Sequence, residues 1–130
     1  PLTSRGEKQA ARMAAWLNQQ LPATTRVLVS PARRTQQTAQ ALERKFRTVP
    51  ALAPGASVQA VLEAARWPSA KEPVLVIGHQ PTLGMVASQL LTGSAQALAV
   101  KKGAVWWLRS REREGEGQVV LVAALTPEQI

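Results

Sequence analysis

The stretch Pro73–Gly84, P-V-L-V-I-G-H-Q-P-T-L-G, holds a strand pattern, a turn and a helix start in twelve residues. Val74–Ile77 form an unbroken apolar run with β-branched residues, which predicts a strand buried on both faces of a helix-covered parallel sheet. Gly78 is expected to end the strand and let the backbone turn sharply. Pro81 suits the first turn of a helix, because its missing N–H would have no intrahelical partner there.

His79 is the single histidine in the sequence and lies in this turn. We therefore expect it at the carboxyl end of a strand, facing a helix N-terminus. In open α/β sheets ligands bind at that edge, and helix N-termini attract anions. A lone histidine can equally be a half-buried residue that only satisfies a hydrogen bond. Its position alone therefore does not decide between a functional and a structural role.

The composition narrows the classes of ligand and partner. Sixteen Lys and Arg against eight acidic residues, all of them Glu, give a net charge of +8. This surplus favours acidic partners such as nucleic acid, a membrane surface or phosphorylated substrates, although most such charges belong to solvated helix faces. The lack of Asp argues against a carboxylate-rich Mg²⁺ site, and the lack of Cys excludes disulfides and thiolate metal sites. We expect no metal, no cofactor and a cytoplasmic location.

The length of 130 residues suits one domain, residues 1–130, with a single core. No apolar run approaches the roughly 20 residues needed to cross a bilayer, so no membrane association is expected. Helical and strand-like patterns alternate along this domain. Helices are expected at residues 5–20, 32–46, 58–65 and 82–91, and strands at 26–30, 48–50 and 74–77. Ser4-x-x-Glu7 reads as a capping box for the first helix, with Thr3 as the alternative cap, and Ser57 can cap the third.

The pattern changes after Gly93. Residues 104–108, A-V-W-W-L, and 119–125, V-V-L-V-A-A-L, predict two strands joined by a charged connection, hence an antiparallel hairpin at a sheet edge. Trp106 and Trp107 are adjacent and should face opposite sides of it, as packing residues rather than a platform for bases. Together the elements predict an α/β fold of three α/β/α layers, with a mainly parallel sheet and a C-terminal antiparallel hairpin.

Two junctions between a strand and a helix carry the polar residues of interest. One is Ser30–Ala39, S-P-A-R-R-T-Q-Q-T-A, and the other is Gly78–Gly84, G-H-Q-P-T-L-G. Parallel strands bring both junctions to the same edge of the sheet. An Arg from the first junction beside His79 at a helix N-terminus would make a plausible site for a phosphoryl group.

At these residues the sequence resembles the histidine phosphatase superfamily, and within it the small SixA-like phosphohistidine phosphatases. The resemblance spans nearly the whole chain. It is carried by five stretches: P-L-T-S-R-G at 1–6, V-L-V-S-P-A-R-R-T-Q-Q-T-A at 27–39, L-A-P-G-A at 52–56, V-L-V-I-G-H-Q-P-T-L-G at 74–84 and K-G-A-V-W at 102–106.

The resemblance implies roles for four residues of this chain. Arg34 matches the arginine that the family places in the phosphate pocket, and Arg33 is its neighbour and the weaker candidate. His79 matches the second family histidine, which contacts the phosphoryl oxygens. Arg34 and His79 are therefore both expected to be catalytic. Ser30, which opens the first motif, is expected among the phosphate-binding residues. No metal is implied.

The family nucleophile is another histidine, in an Arg-His-Gly motif that ends the first strand, and this sequence contains no such motif. We expect that strand, central in the family sheet, to lie upstream of Pro1, so that the domain is N-terminally incomplete here. The 130 residues by themselves would then be inactive. A true truncation is the competing explanation.

The resemblance implies hydrolysis of phosphohistidine in signalling or phosphotransfer proteins, through a phosphohistidine enzyme intermediate. The partner would be a phosphohistidine-bearing protein such as a histidine phosphotransfer domain. The protein itself is expected to be a monomer and not to bind nucleic acid. Glu63 is the only carboxylate that could be nominated as a general acid, and a phosphoimidazole needs little protonation to leave. The alternatives are a small-molecule phosphomonoesterase of the same superfamily, or a non-catalytic module that binds phosphoprotein or nucleic acid.

Overall fold

The computed structural model describes residues 2–113 and 115–130. Four α-helices and five strands follow one another in the order α1, β1, α2, β2, α3, β3, α4, β4, β5. Their bounds are α1 Ser4–Gln20, β1 Arg26–Val29, α2 Arg33–Gln40, β2 Arg47–Thr48, α3 Val58–Ala65, β3 Val74–Ile77, α4 Thr82–Thr92, β4 Val105–Arg113 and β5 Glu116–Leu125. Short 3₁₀ turns lie at Pro50–Leu52 and Pro127–Gln129.

The first three strands form a parallel sheet in the order β2-β1-β3. In register, Val29 lies opposite Ile77, so β1 and β3 end at the same edge. The central strand is β1, whose last three residues are buried. The expectation that Val74–Ile77 would be buried on both faces is wrong, because all four are only half-buried. Among the described residues β3 pairs with β1 alone, which leaves its other side uncovered.

Helices cover both faces of this sheet and confirm the three-layer α/β/α architecture. One core lies between the sheet and the first two helices, and its buried members are Met13, Ala14, Leu17, Val27, Val29, Ala39 and Leu42. The second core lies on the opposite face and contains Leu28, Leu52 and Val61, with Val86 packed against it. Alternate residues of β1 thus point to opposite layers, as strand geometry requires.

The helix boundaries differ from expectation in two places. Thr3, not Ser4, caps α1, and its hydroxyl accepts a hydrogen bond from the Gly6 N–H. The second helix ends at Gln40 rather than near Phe46. The chain then turns, with Glu43 in the left-handed region at φ 53°, and the Arg44 guanidinium binds the carbonyls of Leu21 and Pro22. Tertiary contacts of the segment after Gln40 therefore replace the further helical turns that its composition favours.

The C-terminal hairpin is antiparallel, as expected, but longer than expected. Its strands extend into the charged connection, and a register shift lies between Trp107 and Leu108. It forms a two-stranded sheet of its own, so its expected place at the edge of the parallel sheet is wrong for the described residues. Trp107 packs edge-on against Trp16 of α1, with ring centroids 6.4 Å apart, which confirms a packing role.

Some expectations fall outside what the structure tests. Pro1 of the first matching stretch and Glu114 of the hairpin connection lie outside the described residues. A strand upstream of Pro1 and the single-domain assignment stay predictions. No helix in the described part of the chain is long and apolar enough to cross a membrane.

Candidate functional site

The first wall of the site is the junction between β1 and α2. The Ser30 N–H bonds the Ile77 carbonyl and continues the ladder by one residue. The Ser30 carbonyl accepts from the Thr35 hydroxyl at 2.9 Å and from Gln36 Nε2 at 2.9 Å. These bonds tie the strand end to the first turn of α2, so the position of Arg34 follows from that of Ser30.

The second wall is the junction between β3 and α4. The Leu83 N–H bonds the His79 carbonyl at 2.9 Å, and the Thr82 hydroxyl bonds the Ala56 carbonyl at 2.7 Å. Gln80 accepts from the Gly84 N–H and donates to the Val100 carbonyl. The turn is therefore held from both sides, and this fixes the backbone that carries His79.

The two glycines of this junction differ in whether the backbone requires them, and the expectation of a glycine-dependent turn at Gly78 is wrong. A Cβ at Gly78 would meet Leu83 at 3.6 Å, an ordinary contact, and the φ of Gly78 is not in the left-handed region. The turn therefore does not require glycine there. A Cβ at Gly84 would lie 2.1 Å from the Leu98 carbonyl oxygen, so the close approach of α4 to residues 94–100 requires glycine at position 84.

Arg34 and His79 meet where the two junctions converge. Arg34 Nη2 lies 3.1 Å from His79 Nδ1, and the Ser30 hydroxyl lies 2.7 Å from His79 Nε2. The Ala32 N–H also donates to the Ser30 hydroxyl, at 3.2 Å. His79 is 6% exposed and Ser30 is fully buried, whereas Arg34 is exposed. The imidazole is thus clamped between a surface guanidinium and a buried hydroxyl.

These contacts define the protonation of the imidazole. A guanidinium can only donate, so Nδ1 of His79 must be the bare, accepting nitrogen. The proton of the neutral ring then lies on Nε2 and is donated to the Ser30 hydroxyl oxygen. Burial, and secondly the positive charge of Arg34, lowers the pKa of His79 below 6.5. The free site therefore holds a neutral imidazole beside a fixed positive charge at neutral pH.

An anion would change this arrangement in a defined way. A tetrahedral oxyanion at this rim can take the guanidinium fork of Arg34, which releases Nδ1 of His79. A negative charge next to the ring favours its protonated form, so both side chains could then donate to the anion. The N-termini of α2 and α4 follow the same two junctions and add their positive ends.

The four residues expected at the site differ in their contacts. Arg34 and His79 are in direct contact. Ser30 lies behind the ring, with its hydroxyl engaged by His79, and Arg33 is exposed without a hydrogen bond to any described residue. Their roles in phosphate binding stay predictions.

Sequence reasoning missed several residues that support the site. They are Thr35, Gln36, Gln80 and Gly84, whose only sequence signal is their spacing from the strand ends. Cavities of about 230 and 340 Å³ lie elsewhere, and neither is lined by Arg34 or His79. We refer to the edge of the sheet where Arg34 and His79 meet as the rim.

Comparison with known proteins finds one family, one relative and two solved structures that are similar to this chain. The model of the histidine phosphatase superfamily (branch 1) matches residues 1–55. An uncharacterised protein of Picosynechococcus sp. is 35% identical over 118 residues, which cover 85% of this chain and 72% of that protein.

Two solved structures are similar over almost the whole chain. One is a SixA from Nakamurella multipartitia, with a TM-score of 0.78 and 25% identity, covering 98% of this chain and 84% of that one. The other is the protein histidine phosphatase SixA complexed with tungstate, with a TM-score of 0.74 and 25% identity, covering 99% and 85%.

Proposed function

The chain belongs to the histidine phosphatase superfamily and has a SixA-like fold, and from this premise we propose that it is a phosphatase that acts on phosphohistidine in proteins. The observation that carries the proposal is the 3.1 Å contact of Arg34 with His79 at the carboxyl ends of the strands. The SixA structure with tungstate, a tetrahedral oxyanion like phosphate, supports the same ligand class.

The roles of Arg34 and His79 follow from their chemistry. Arg34 binds two phosphoryl oxygens through its fork, and His79, protonated by the incoming charge, donates to a third. Both stabilise the charge that builds up on the phosphoryl group during transfer. Ser30 does not touch the phosphoryl group in this scheme. It holds the imidazole ring in position through Nε2.

His79 is a poor candidate for the nucleophile. In the free site one ring nitrogen accepts from Arg34 and the other carries a proton bonded to Ser30. A phosphoryl group that takes the Arg34 fork favours protonation of the released nitrogen, so neither nitrogen then offers a lone pair. His79 is also the only histidine in these 130 residues. We therefore propose that the nucleophilic histidine lies on a strand upstream of Pro1. The open side of β3, which bears no strand among the described residues, supports a place for it beside β3.

The reaction has two steps. The upstream imidazole attacks phosphorus, a new N–P bond forms, and the N–P bond of the substrate breaks, with its electron pair left on the substrate imidazole. Water then attacks the enzyme phosphohistidine, which releases inorganic phosphate and restores the imidazole. Neither step needs a metal or a redox cofactor.

The substrate class is proposed because, among the described residues, no carboxylate forms a hydrogen bond or ion pair with Arg34 or His79. Glu63, the one candidate general acid, accepts a hydrogen bond from Gln59 on α3 instead. An alkyl phosphate leaves poorly without such a group, whereas a phosphoimidazole does not need it. The net charge of +8 favours an acidic protein partner. We propose a histidine phosphotransfer domain as partner, met in the cytoplasm by a monomer.

The test uses the natural gene product and a phosphorylated histidine phosphotransfer domain. We expect Arg34→Ala to lower the rate of dephosphorylation by about 10²-fold or more, since it removes a donor to the transition state. Arg109→Ala, an exposed arginine on β4, is the matched control and should leave the rate within about twofold of the natural protein. Arg33→Ala measures whether its neighbour shares the role.

Near-normal activity of Arg34→Ala would reject the site. Faster turnover of simple phosphate esters than of the phosphoprotein would favour the small-molecule phosphatase instead. An intact mass of 14.0 kDa for an active natural protein would reject the upstream nucleophile.

A further inference from the structure

A second concave site lies at the opposite end of the parallel sheet. The strands β1 and β2 pair only at Leu28 with Arg47 and Val29 with Thr48. Before these pairs the two segments separate, and a cavity of about 340 Å³ opens between residues 25–28, residues 45–47 and Arg66. We call it the amino-end hollow. It lies at the amino ends of the strands, whereas Arg34 and His79 lie at the carboxyl ends.

The charge of the amino-end hollow has one sign. Its lining includes Arg26, Lys45, Arg47 and Arg66, and no acidic residue. The side chains of Lys45, Arg47 and Arg66 form no hydrogen bond or ion pair with the residues that the structure describes. Glu72 lies 3.8 Å from Arg26 Nε and partly offsets that charge, but the other three cations have no such partner among the described residues. Cations around one small space repel one another, and an anion between them would relieve that repulsion.

The neighbouring Arg44 shows that these cations are not needed to hold the segment in place. Its guanidinium binds the Asn18 side chain and the carbonyls of Leu21 and Pro22, and so ties the segment to the end of α1. Lys45 and Arg47 follow it in sequence and line the hollow. Arg44 therefore anchors this segment to the end of α1, and Lys45 and Arg47 remain available to bind a ligand.

Arg66 has a backbone that disfavours a side chain. It caps the C-terminus of α3 with φ 57° and ψ 39°, in the left-handed region, where glycine is the usual residue. The chain nevertheless carries an arginine there, and that arginine lines the hollow. A residue other than glycine in this strained backbone conformation suggests that its side chain has a function, and anion binding in the hollow would be such a function.

Arg26 adds a donor that is not satisfied within the fold. Its Nη2 donates to the Ala64 carbonyl, and its Nε lies 3.8 Å from Glu72. Its Nη1 is buried and has no hydrogen-bond partner among the described residues. Buried donors are almost always paired, so this guanidinium has capacity for a further acceptor.

We propose that the amino-end hollow binds a small anion that carries two or more phosphoryl groups. Arginine forks match phosphoryl oxygens in geometry, and three to four cations match the charge of a diphosphate. The cavity lies at the lower end of the size range of small-molecule sites, which favours a compact ligand over an extended peptide.

The test is titration with pyrophosphate at low salt, followed through the backbone amide NMR signals of the full protein. We expect saturable shifts at residues 25–28 and 45–47, separate from any shifts at the rim near His79. Shifts confined to that rim would overturn the proposal.

Two variants decide whether the cations act together. Lys45→Ala/Arg47→Ala should weaken the pyrophosphate affinity at residues 25–28 about tenfold or more. The control Lys102→Ala/Arg109→Ala removes the same charge from exposed positions outside the hollow and should change it less than about twofold. An equal loss in both would mean that only the net charge matters and would overturn the site.

Arg66→Gly separates binding from folding. Glycine relieves the left-handed backbone, so the melting temperature should stay the same or rise. The affinity for pyrophosphate should nevertheless fall several-fold. An unchanged affinity in this variant would remove Arg66 from the site and contradict the proposal.

Discussion

Replacing Ser30 with alanine removes the one acceptor that two N–H groups share. The His79 Nε2–H donates to the Ser30 hydroxyl at 2.7 Å, and the Ala32 N–H donates to it at 3.2 Å. Ser30 is fully buried and His79 is 6% exposed, so water cannot readily replace the lost oxygen. An unsatisfied buried donor costs about 1–3 kcal/mol, and the part-buried Ala32 N–H about 1 kcal/mol more, so Ser30→Ala should lose about 2–4 kcal/mol.

The same change should release the imidazole from its position. Without the hydroxyl, only Arg34 holds the ring, and that contact must be given up when an anion takes the guanidinium. We expect Ser30→Ala to bind sulfate at the rim about tenfold more weakly, because the ring no longer points at the anion. The unfolding energy is measured by chemical denaturation, and the affinity through the NMR signals of the His79 imidazole.

Ser88→Ala is the matched control. Ser88 is a buried serine, 2% exposed, whose hydroxyl donates to the Ser94 carbonyl and accepts from the Gln96 N–H, away from the rim. The Ser88→Ala variant should lose a similar amount of unfolding free energy, and its affinity for sulfate should be unchanged. The reasoning is refuted if Ser30→Ala unfolds within about 0.5 kcal/mol of the natural protein, a change typical of surface positions. It is also refuted if Ser88→Ala weakens sulfate binding equally.

Three further predictions concern packing and protonation. Gly84→Ala would bring a Cβ to 2.1 Å from the Leu98 carbonyl oxygen and should cost about 2 kcal/mol or more, whereas Gly117→Ala, with open space around it, should be nearly neutral in denaturation experiments. The pKa of His79 is lowered by burial and by Arg34, so the unfolded chain binds more protons just below pH 6.5. The free energy of unfolding should therefore be highest above pH 6.5 and fall as the pH drops below it. Denaturation at several pH values should show this fall, and the part of it due to His79 should be missing in His79→Gln. Arg34→Gln removes the second cause of the shift, so an NMR titration should find the pKa of His79 moved back up towards 6.5; no change would contradict the contact.

Local patterns predicted the elements that carry the rim. The bounds of α3 and β3 were predicted to the residue, because a capping serine and an unbroken apolar run are signals that neighbouring residues supply on their own. The meeting of the two junctions followed from topology, since parallel strands end at one edge. The topology placed an arginine of the first junction beside His79, and the choice of Arg34 over Arg33 came from the resemblance to the histidine phosphatase superfamily.

Long-range contacts decided the features that sequence reasoning missed. The second helix ends at Gln40 because the segment after it is bound to the end of α1, which lies more than twenty residues away. Glycine is required at position 84 and not at 78 because a distant carbonyl approaches α4. Neither contact leaves a pattern in the residues beside it.

The sequence by itself determined the α/β class, the order of the elements and the two junctions that converge at the rim, because periodicity and turn chemistry act between near neighbours. The tertiary structure alone decided that Ser30 supports the imidazole and that β1 is the central strand of the parallel sheet. It also decided that four cations from separate segments surround one hollow. These depend on which distant surfaces meet, and burial and hydrogen-bond partners are set only when the chain has packed.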